Sequence, residues 1–272
     1  MESSIYIFGK EIPLYGLMFY IGIACAALVA ALICKRKKIE RYDLVCAGVY
    51  TMIGALIGAK LLFIIISLDD IIKYDIPFEY VLKGGFVFYG GLIGGILGLF
   101  IYAKQFKESF VQMGELFATV LPLGHAFGRL GCFFAGCCYG IPYDGPFSHT
   151  YHNVLGDTPT GVPLLPIQLI EAICLVIIFG VMMVLYFRSK EKYGNAPITY
   201  LMIYSALRFV LEFFRGDEAR GRFLWLATSQ WVSIGLMAAA ILVLVLRHQR
   251  KKKLAAVEAT EAQTEEAQTA EV

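Results

Sequence analysis

The densest run of chemically competent side chains lies between Gly124 and Gly140, where His125, Arg129, Cys132, Cys137, Cys138 and Tyr139 stand among glycines. A helix through the first part of this run carries His125, Arg129 and Cys132 at i, i+4 and i+7, so one face gathers a base, a cation and a thiol. Gly128, Gly131, Gly136 and Gly140 leave the backbone bare, and they predict that the helix loosens near Gly136. A second group, Arg208 and Glu212, stands four residues apart, a spacing at which two side chains on one helix can simply neutralise each other. The guanidinium groups of Arg129 and Arg208 suit the oxygens of a phosphate diester or a departing phosphate, because the planar fork donates two hydrogen bonds at once. That combination points to a phospholipid head group.

Apolar elements have to position these residues. Of the 272 residues 58% are hydrophobic and 17% charged, and mean hydropathy is +0.66, far from the balance of a water-soluble domain. Crossing a bilayer takes roughly 20 apolar residues. Runs of that kind are 12–34, 84–103 and 223–246 without internal charge, and 44–67 (Lys60), 111–134 (Glu115, Arg129), 164–187 (Glu171) and 197–214 (Arg208, Glu212) with it. The expected fold is therefore all-α, a polytopic membrane protein with seven transmembrane helices in a membrane domain at 1–253. Ionisable residues inside a bilayer are costly and usually face a cavity or a partner. Lys60 falls late in its run, where its ammonium can snorkel to the interface. The first run is too long for a signal peptide, with Glu2 the only charge before Lys10.

Lys and Arg gather after the first, third, fifth and seventh runs, as in Lys35 to Lys38, Lys104 and Lys107, Arg188 to Lys192, and Arg247 to Lys253. The other side holds fewer, namely Lys10, Lys73, Lys83, Arg215, Arg220 and Arg222. Positive loops stay cytoplasmic, so the N-terminus is expected outside and the C-terminus inside. The net charge of +2 is spread over separate loops and forms no basic face, which excludes nucleic acid as a partner. Residues 254–272 are rich in Ala, Glu, Gln and Thr, too poor in apolar groups to fold, and read as a disordered polar tail. An outward stretch at about 136–163 carries no Lys or Arg and reads either as a small cap over the membrane or as a plain connector. Gly84-Gly85, Gly90-Gly91 and Gly94-Gly95 would let helices approach closely.

The cysteines do not form a disulfide framework; Cys25, Cys34, Cys46 and Cys174 read as small core residues. Zinc binding by His125, Cys132, Cys137 and Cys138 lacks the usual C-x2-C spacing. A disulfide from Cys132 to Cys137 or Cys138, near the oxidising outer face, is the stronger alternative.

Four segments occur in order: Tyr15-Gly16-Leu17-Met18, Gly90-Gly91-Leu92-Ile93-Gly94, Gly128-Arg129-Leu130-Gly131 with Gly136 and Tyr139-Gly140, and Pro166, Gln168, Leu169 and Glu171 followed by Tyr204, Arg208, Glu212 and Phe213-Phe214-Arg215. In these the chain resembles the prolipoprotein diacylglyceryl transferases, bacterial seven-span membrane enzymes, over nearly its whole length except the tail. The resemblance implies an enzyme of the bacterial cytoplasmic membrane. Its partners would be phosphatidylglycerol and prolipoprotein signal peptides, and it would move the diacylglyceryl group onto the lipobox cysteine thiol, releasing glycerol phosphate. It implies that Arg129 holds the phospholipid phosphate, that Arg208 organises the head group or leaving group, and that Tyr15, Tyr204, Gln168, Glu171 and Glu212 line or brace the pocket with Gly128 and Gly131. No metal or soluble cofactor is expected. Three substitutions depart from the family pattern: Tyr89 stands where His is common, Cys132 where Asn is usual and Cys137 where Glu is usual. Leu165, Ile167 and Ile170 likewise replace polar residues. A phenol is a poor base near neutral pH, so His125, one turn before Arg129, is the residue expected to replace that histidine. Other readings are a divergent transferase with another lipid or thiol substrate, a membrane thiol oxidoreductase using Cys132 with Cys137 or Cys138, and a transporter. The oxidoreductase lacks a C-x-x-C motif, and the transporter lacks a visible internal repeat.

Overall fold

A computed structural model of the chain describes residues 4–7, 10–152, 158–189, 196–217 and 222–270. Lys190, Lys192 and Arg220 of the charge asymmetry, residues 153–157 of the outward stretch and the last two residues of the tail lie outside the described residues. Among the described residues the regular structure is helical apart from three two-stranded sheets. Among the described residues six helices are long and apolar enough to cross a membrane: Leu14–Lys37, Arg41–Ile66, Phe110–Ala135, Ile167–Arg188, Ala196–Phe214 and Thr228–Arg250. The protein is thus a polytopic membrane protein.

The run at 84–103, expected to be a span of the same kind, differs. Residues 84–87 are not helical, and the helix is the 18-residue Phe88–Gln105. Its glycines and its closing Lys104-Gln105 dilute its hydropathy, which leaves six helices of clear spanning character where the sequence suggests seven. Eighteen residues still extend about 27 Å at 1.5 Å each. The last span also starts later than the apolar run at 223–246 suggests, because Arg222–Phe223 and Leu226–Ala227 form a hairpin before the helix begins at Thr228. That helix continues to Ala270, through the stretch whose composition reads as disordered. Ala, Glu, Gln and Lys are strong helix formers, so intrinsic propensity sustains the backbone there.

The Cα framework divides into two compact units, Met1–Ala135 with Leu169–Pro197, and Gly136–Gln168 with Ile198–Val272. In the first unit a hairpin of β1 (Ser4–Ile7) and β2 (Lys10–Pro13) leads into α1 (Leu14–Ile33). A tight turn closed by Lys38 at φ 58° then gives α2 (Arg41–Ile66). Short helices α3 (Leu68–Lys73) and α4 (Phe78–Lys83) precede α5 (Phe88–Gln105) and α6 (Phe110–Ala135), and α7 (Ile167–Arg188) follows the excursion into the second unit.

Helices α2 and α5 pack backbone to backbone. A Cβ at Gly94 would overlap the Gly54 carbonyl oxygen, one at Gly58 that of Gly90, and one at Gly98 that of Tyr50. Only glycine allows this approach, which dispersion and backbone contacts stabilise where lipid removes the hydrophobic drive. Helices α1 and α6 meet at Gly22, where a Cβ would lie 2.7 Å from Phe127 Cβ and 3.0 Å from Gly124 O. The core sits toward one end of this unit, around Ala30, Ile33, Leu44, Leu99, Tyr102, Met113, Leu116 and Tyr186. There Lys37 and Glu115 form a buried pair at 3.6 Å. Tyr102 donates to Asp43 at 3.0 Å, and Tyr186 donates to Ile33 O at 3.3 Å. Elsewhere α2 and α7 expose Leu56, Ile57, Leu61, Ile65, Ile173, Val176 and Ile177, the apolar exterior expected against lipid.

Lys60 reaches the carbonyls that close α4. Its ammonium donates to Val81 O at 3.1 Å, Gly84 O at 2.9 Å and Gly85 O at 3.2 Å, and lies 4.4 Å from the Phe86 ring centroid. It therefore satisfies carbonyls at the C-terminal end of α4, where a cation is favoured. Lys60→Leu is expected to strand those carbonyls at a cost of about 1.4 kcal/mol or more. Amide exchange over residues 81–86 should then run about tenfold faster, while exchange in α6 stays unchanged.

The second unit contains β3 (His149–Thr150) paired with β4 (Pro163–Leu164), α8 (Ala196–Leu211), the β5 (Arg222–Phe223) and β6 (Leu226–Ala227) hairpin, and α9 (Thr228–Ala270). Gly140 N–H donates to Leu165 O at 3.2 Å, Leu165 N–H to Ile141 O at 3.0 Å, Ile141 N–H to Phe214 O at 3.0 Å and Gly216 N–H to Tyr139 O at 3.0 Å. The stretch that follows α6 is therefore stitched by backbone hydrogen bonds to its own far end and to the segment after α8. Gln230 links α9 to α8 through Phe209 O at 3.4 Å.

Candidate active site

Helix α6 runs unbroken in backbone assignment through His125, Arg129 and Cys132 and ends at Ala135, where Gly136 at φ 72° takes the left-handed conformation that stops a helix. The one-face arrangement expected for these three residues is thus realised. Arg129 has no acid near it in sequence, and α7 supplies one: Arg129 Nε lies 3.1 Å from Glu171 Oε1, with the side chains 14% and 1% exposed. Removing either partner of a pair this poorly exposed to solvent would leave the other's charge uncompensated. Gly131 packs on the first helix, since a Cβ there would come within 3.1 Å of Tyr15 Cδ2 and 3.2 Å of Tyr15 O. Gly128 differs, because a Cβ there would meet nothing within 4 Å. Packing does not require that glycine.

His125 stacks on Phe88, with ring centroids 6.4 Å apart and planes 26° from parallel. Tyr89, the next residue of α5, is 41% exposed. Cys132 is buried on α6. The structure joins none of the seven cysteines in a disulfide, so the bridge expected from Cys132 is not formed. Glu115 is engaged with Lys37 at the core end of α6, several turns from Arg129.

In the second unit Arg208 Nη2 lies 2.7 Å from Glu212 Oε2, the pairing that their spacing allows. Glu212 opens a short 3-10 turn, Glu212–Phe214, which carries the chain from α8 to Arg215. Arg215 Nε donates to Asp217 Oδ1 at 2.8 Å and Nη2 to Oδ2 at 2.6 Å, a two-pronged pair, and its Nε is 4.0 Å from Glu212. Charges therefore alternate in sign along 208, 212, 215 and 217. Sequence reasoning matched Arg215 to the family segment without giving it a site role. The signal that could have found it was the Arg-x-Asp spacing, which brings the two side chains together only in an extended segment. Tyr204 stacks on Tyr200 at 5.8 Å, one turn from Arg208. Gln168, 1% exposed, donates through Nε2 to Cys137 O at 2.7 Å and lies 3.3 Å from Tyr151 OH. It braces the turn after Gly136. His149 meets Tyr151 edge to face at 4.6 Å, and burial holds its imidazole below the ordinary range.

Arg129 and Arg208 are thus each paired with a carboxylate within their own unit, and His125 stands one turn from Arg129. A cation so held can neutralise a phosphate where the dielectric is low, and an imidazole can accept a proton. The family model for prolipoprotein diacylglyceryl transferase matches residues 3–246. The chain is 33% identical to the phosphatidylglycerol–prolipoprotein diacylglyceryl transferase of Clostridium tetani, covering 90% of this chain and 97% of the relative. It is 33% identical to the second such enzyme of Clostridium perfringens, covering 91% and 95%, and 28% identical to that of Salmonella arizonae, covering 87% and 89%. With its motifs in order, its membrane helices and a match across nearly all of its length, the chain belongs to the prolipoprotein diacylglyceryl transferase family.

Proposed function

We infer that the protein transfers the diacylglyceryl group of phosphatidylglycerol to the thiol of the lipobox cysteine in a prolipoprotein signal peptide, in the outer half of the bacterial cytoplasmic membrane. The relatives' names state the two substrates. The observation that carries the reading is the Arg129–Glu171 pair, a guanidinium held inside a spanning helix by a carboxylate that is 1% exposed. In the reaction the cysteine sulfur attacks the glyceryl carbon that bears the phosphate. An S–C bond forms as the C–O bond breaks, its electron pair stays on the phosphate oxygen, and glycerol phosphate leaves. Arg129 binds the phosphate and neutralises the charge that grows on it, and Glu171 fixes the guanidinium. Arg208, fixed by Glu212, organises the head group. The family resemblance assigns substrate holding to Tyr15, Tyr204 and Gln168 as well. Cys132 and Cys137 occupy positions where the family usually carries polar groups, which leaves the head group more dependent on the arginines.

His125 takes the thiol proton, in place of Tyr89. Its support is position, one helical turn before Arg129 on the same face. His125→Gln is expected to lower the transfer rate about a hundredfold at unchanged protein level, and full retained activity would reject the base role. Helix α5 crosses the membrane as the third of seven spans, with the N-terminus outside and the C-terminus in the cytoplasm, a topology supported by the distribution of Lys and Arg. The substrate assignment is tested with head-group-labelled phosphatidylglycerol in nanodiscs. Labelled glycerol phosphate should appear only when a lipobox peptide with its cysteine is added, and release with a Cys→Ser peptide would contradict thiol attack.

A further inference from the structure

The turn after α6 ends in two adjacent cysteines, Cys137 and Cys138, whose sulfurs lie with that of Cys132 within 4.8 Å of one another. Cys138 sits at φ 59°, in the left-handed region that a residue with a Cβ occupies only when its neighbours hold it there. They do so on both sides, through the Gln168 bond to Cys137 O, the Gly216 bond to Tyr139 O and the bridge between Gly140 and Arg215. This backbone brings the Cys138 thiol within hydrogen-bonding and Coulombic reach of the Arg215 guanidinium. The Arg215 side chain is 3% exposed. Asp217 occupies its Nε and Nη2, whereas its buried Nη1 makes no hydrogen bond of ordinary geometry. A buried donor of this kind calls for an acceptor, and a neutral thiol is a weak one.

We propose that Arg215 holds Cys138 as a thiolate, and that this sulfur is a modification site for soft electrophiles and peroxides. With hydrogen peroxide the sulfur attacks one peroxide oxygen, an S–O bond forms and the O–O bond breaks. The sulfur gives up two electrons, and the departing hydroxide takes a proton from solvent to become water, leaving a sulfenic acid. The titratable and charged groups concerned are Arg215, Asp217 and Glu212, with the thiols of Cys137 and, earlier in the chain, Cys132. Because Glu212 lies between Arg215 and Arg208, the state of the sulfur bears on a residue of the transfer site. That consequence rests on the transferase reading, whereas the thiolate itself does not.

The test uses the full-length reduced protein in nanodiscs, treated with iodoacetamide, with Cys137 and Cys138 resolved by fragment-ion mass spectrometry. Both residues are half-buried, so Cys137 serves as an internal control. At pH 6 Cys138 is expected to react about sixfold faster, since its larger thiolate fraction outweighs the lower nucleophilicity of a more acidic thiol. The ratio should fall as pH rises and drop below one by about pH 9, where both thiols are largely ionised and the less acidic one is the stronger nucleophile, and Arg215→Gln should abolish the difference at pH 6. Equal rates at pH 6 would overturn the proposal. So would a ratio that does not change with pH, because differential access alone produces it. The wild-type pH series needs no variant, so the test stands even if Arg215→Gln does not fold.

Discussion

Arg129→Ala is expected to lower thioether formation about a thousandfold, the scale on which removal of a single donor to developing negative charge acts in a water-poor site. The same change leaves Glu171, 1% exposed, without its cation, which by itself costs about 3–5 kcal/mol of stability. The two effects separate in a second variant. Arg129→Ala combined with Glu171→Gln removes the stranded charge, so thermal stability should largely return while transfer stays lost. Arg129→Lys keeps the charge but not the planar fork and should retain intermediate activity. Single-turnover rates and unfolding midpoints, taken on the same preparations, distinguish these outcomes. Recovery of transfer in the double variant would make Arg129 a structural residue.

The second large effect concerns the scaffold. Gly94→Ala should lower the unfolding midpoint by about 10 °C, because the added methyl overlaps the Gly54 carbonyl and two helices in backbone contact have no side chain that can yield. Gly58→Ala should do the same through Gly90 O. Gly48→Ala on α2 and Gly114→Ala on α6 are the controls, since a Cβ at either meets nothing within 4 Å, and they should shift the midpoint by about 1 °C or less. Equal destabilisation at all four positions would mean that the helices respond to lost backbone flexibility and not to their close approach.

Local patterns were legible in the sequence where the physics is local. The Arg208–Glu212 pair follows from helical spacing, and the end of α6 from Gly136. What depends on partner choice between elements was not legible. Nothing in sequence joins Arg129 to Glu171, because the carboxylate arrives on another helix. Arg215 and Asp217 are two apart, a spacing that separates side chains on a helix and joins them only in the extended segment the chain adopts after Phe214. Hydropathy also misplaced the start of the last span. Phe223 to Ala227 are apolar enough to count toward a helix, yet they close a hairpin whose turn holds Leu224 at φ 55°. The apolar run at 84–103 misled in the same way, since residues 84 and 85 serve as acceptors for Lys60 and not as a helical turn.

The most direct test of the account is the mass of the product. Purified full-length protein in nanodiscs, given phosphatidylglycerol of defined acyl chains and a lipobox peptide, should add to the peptide cysteine the mass of one diacylglyceryl group carrying those chains. The increment should follow the chains when the lipid is changed and should vanish with Arg129→Ala. A folded protein that leaves the cysteine unmodified, or adds a mass that does not follow the acyl chains supplied, would contradict diacylglyceryl transfer from phosphatidylglycerol.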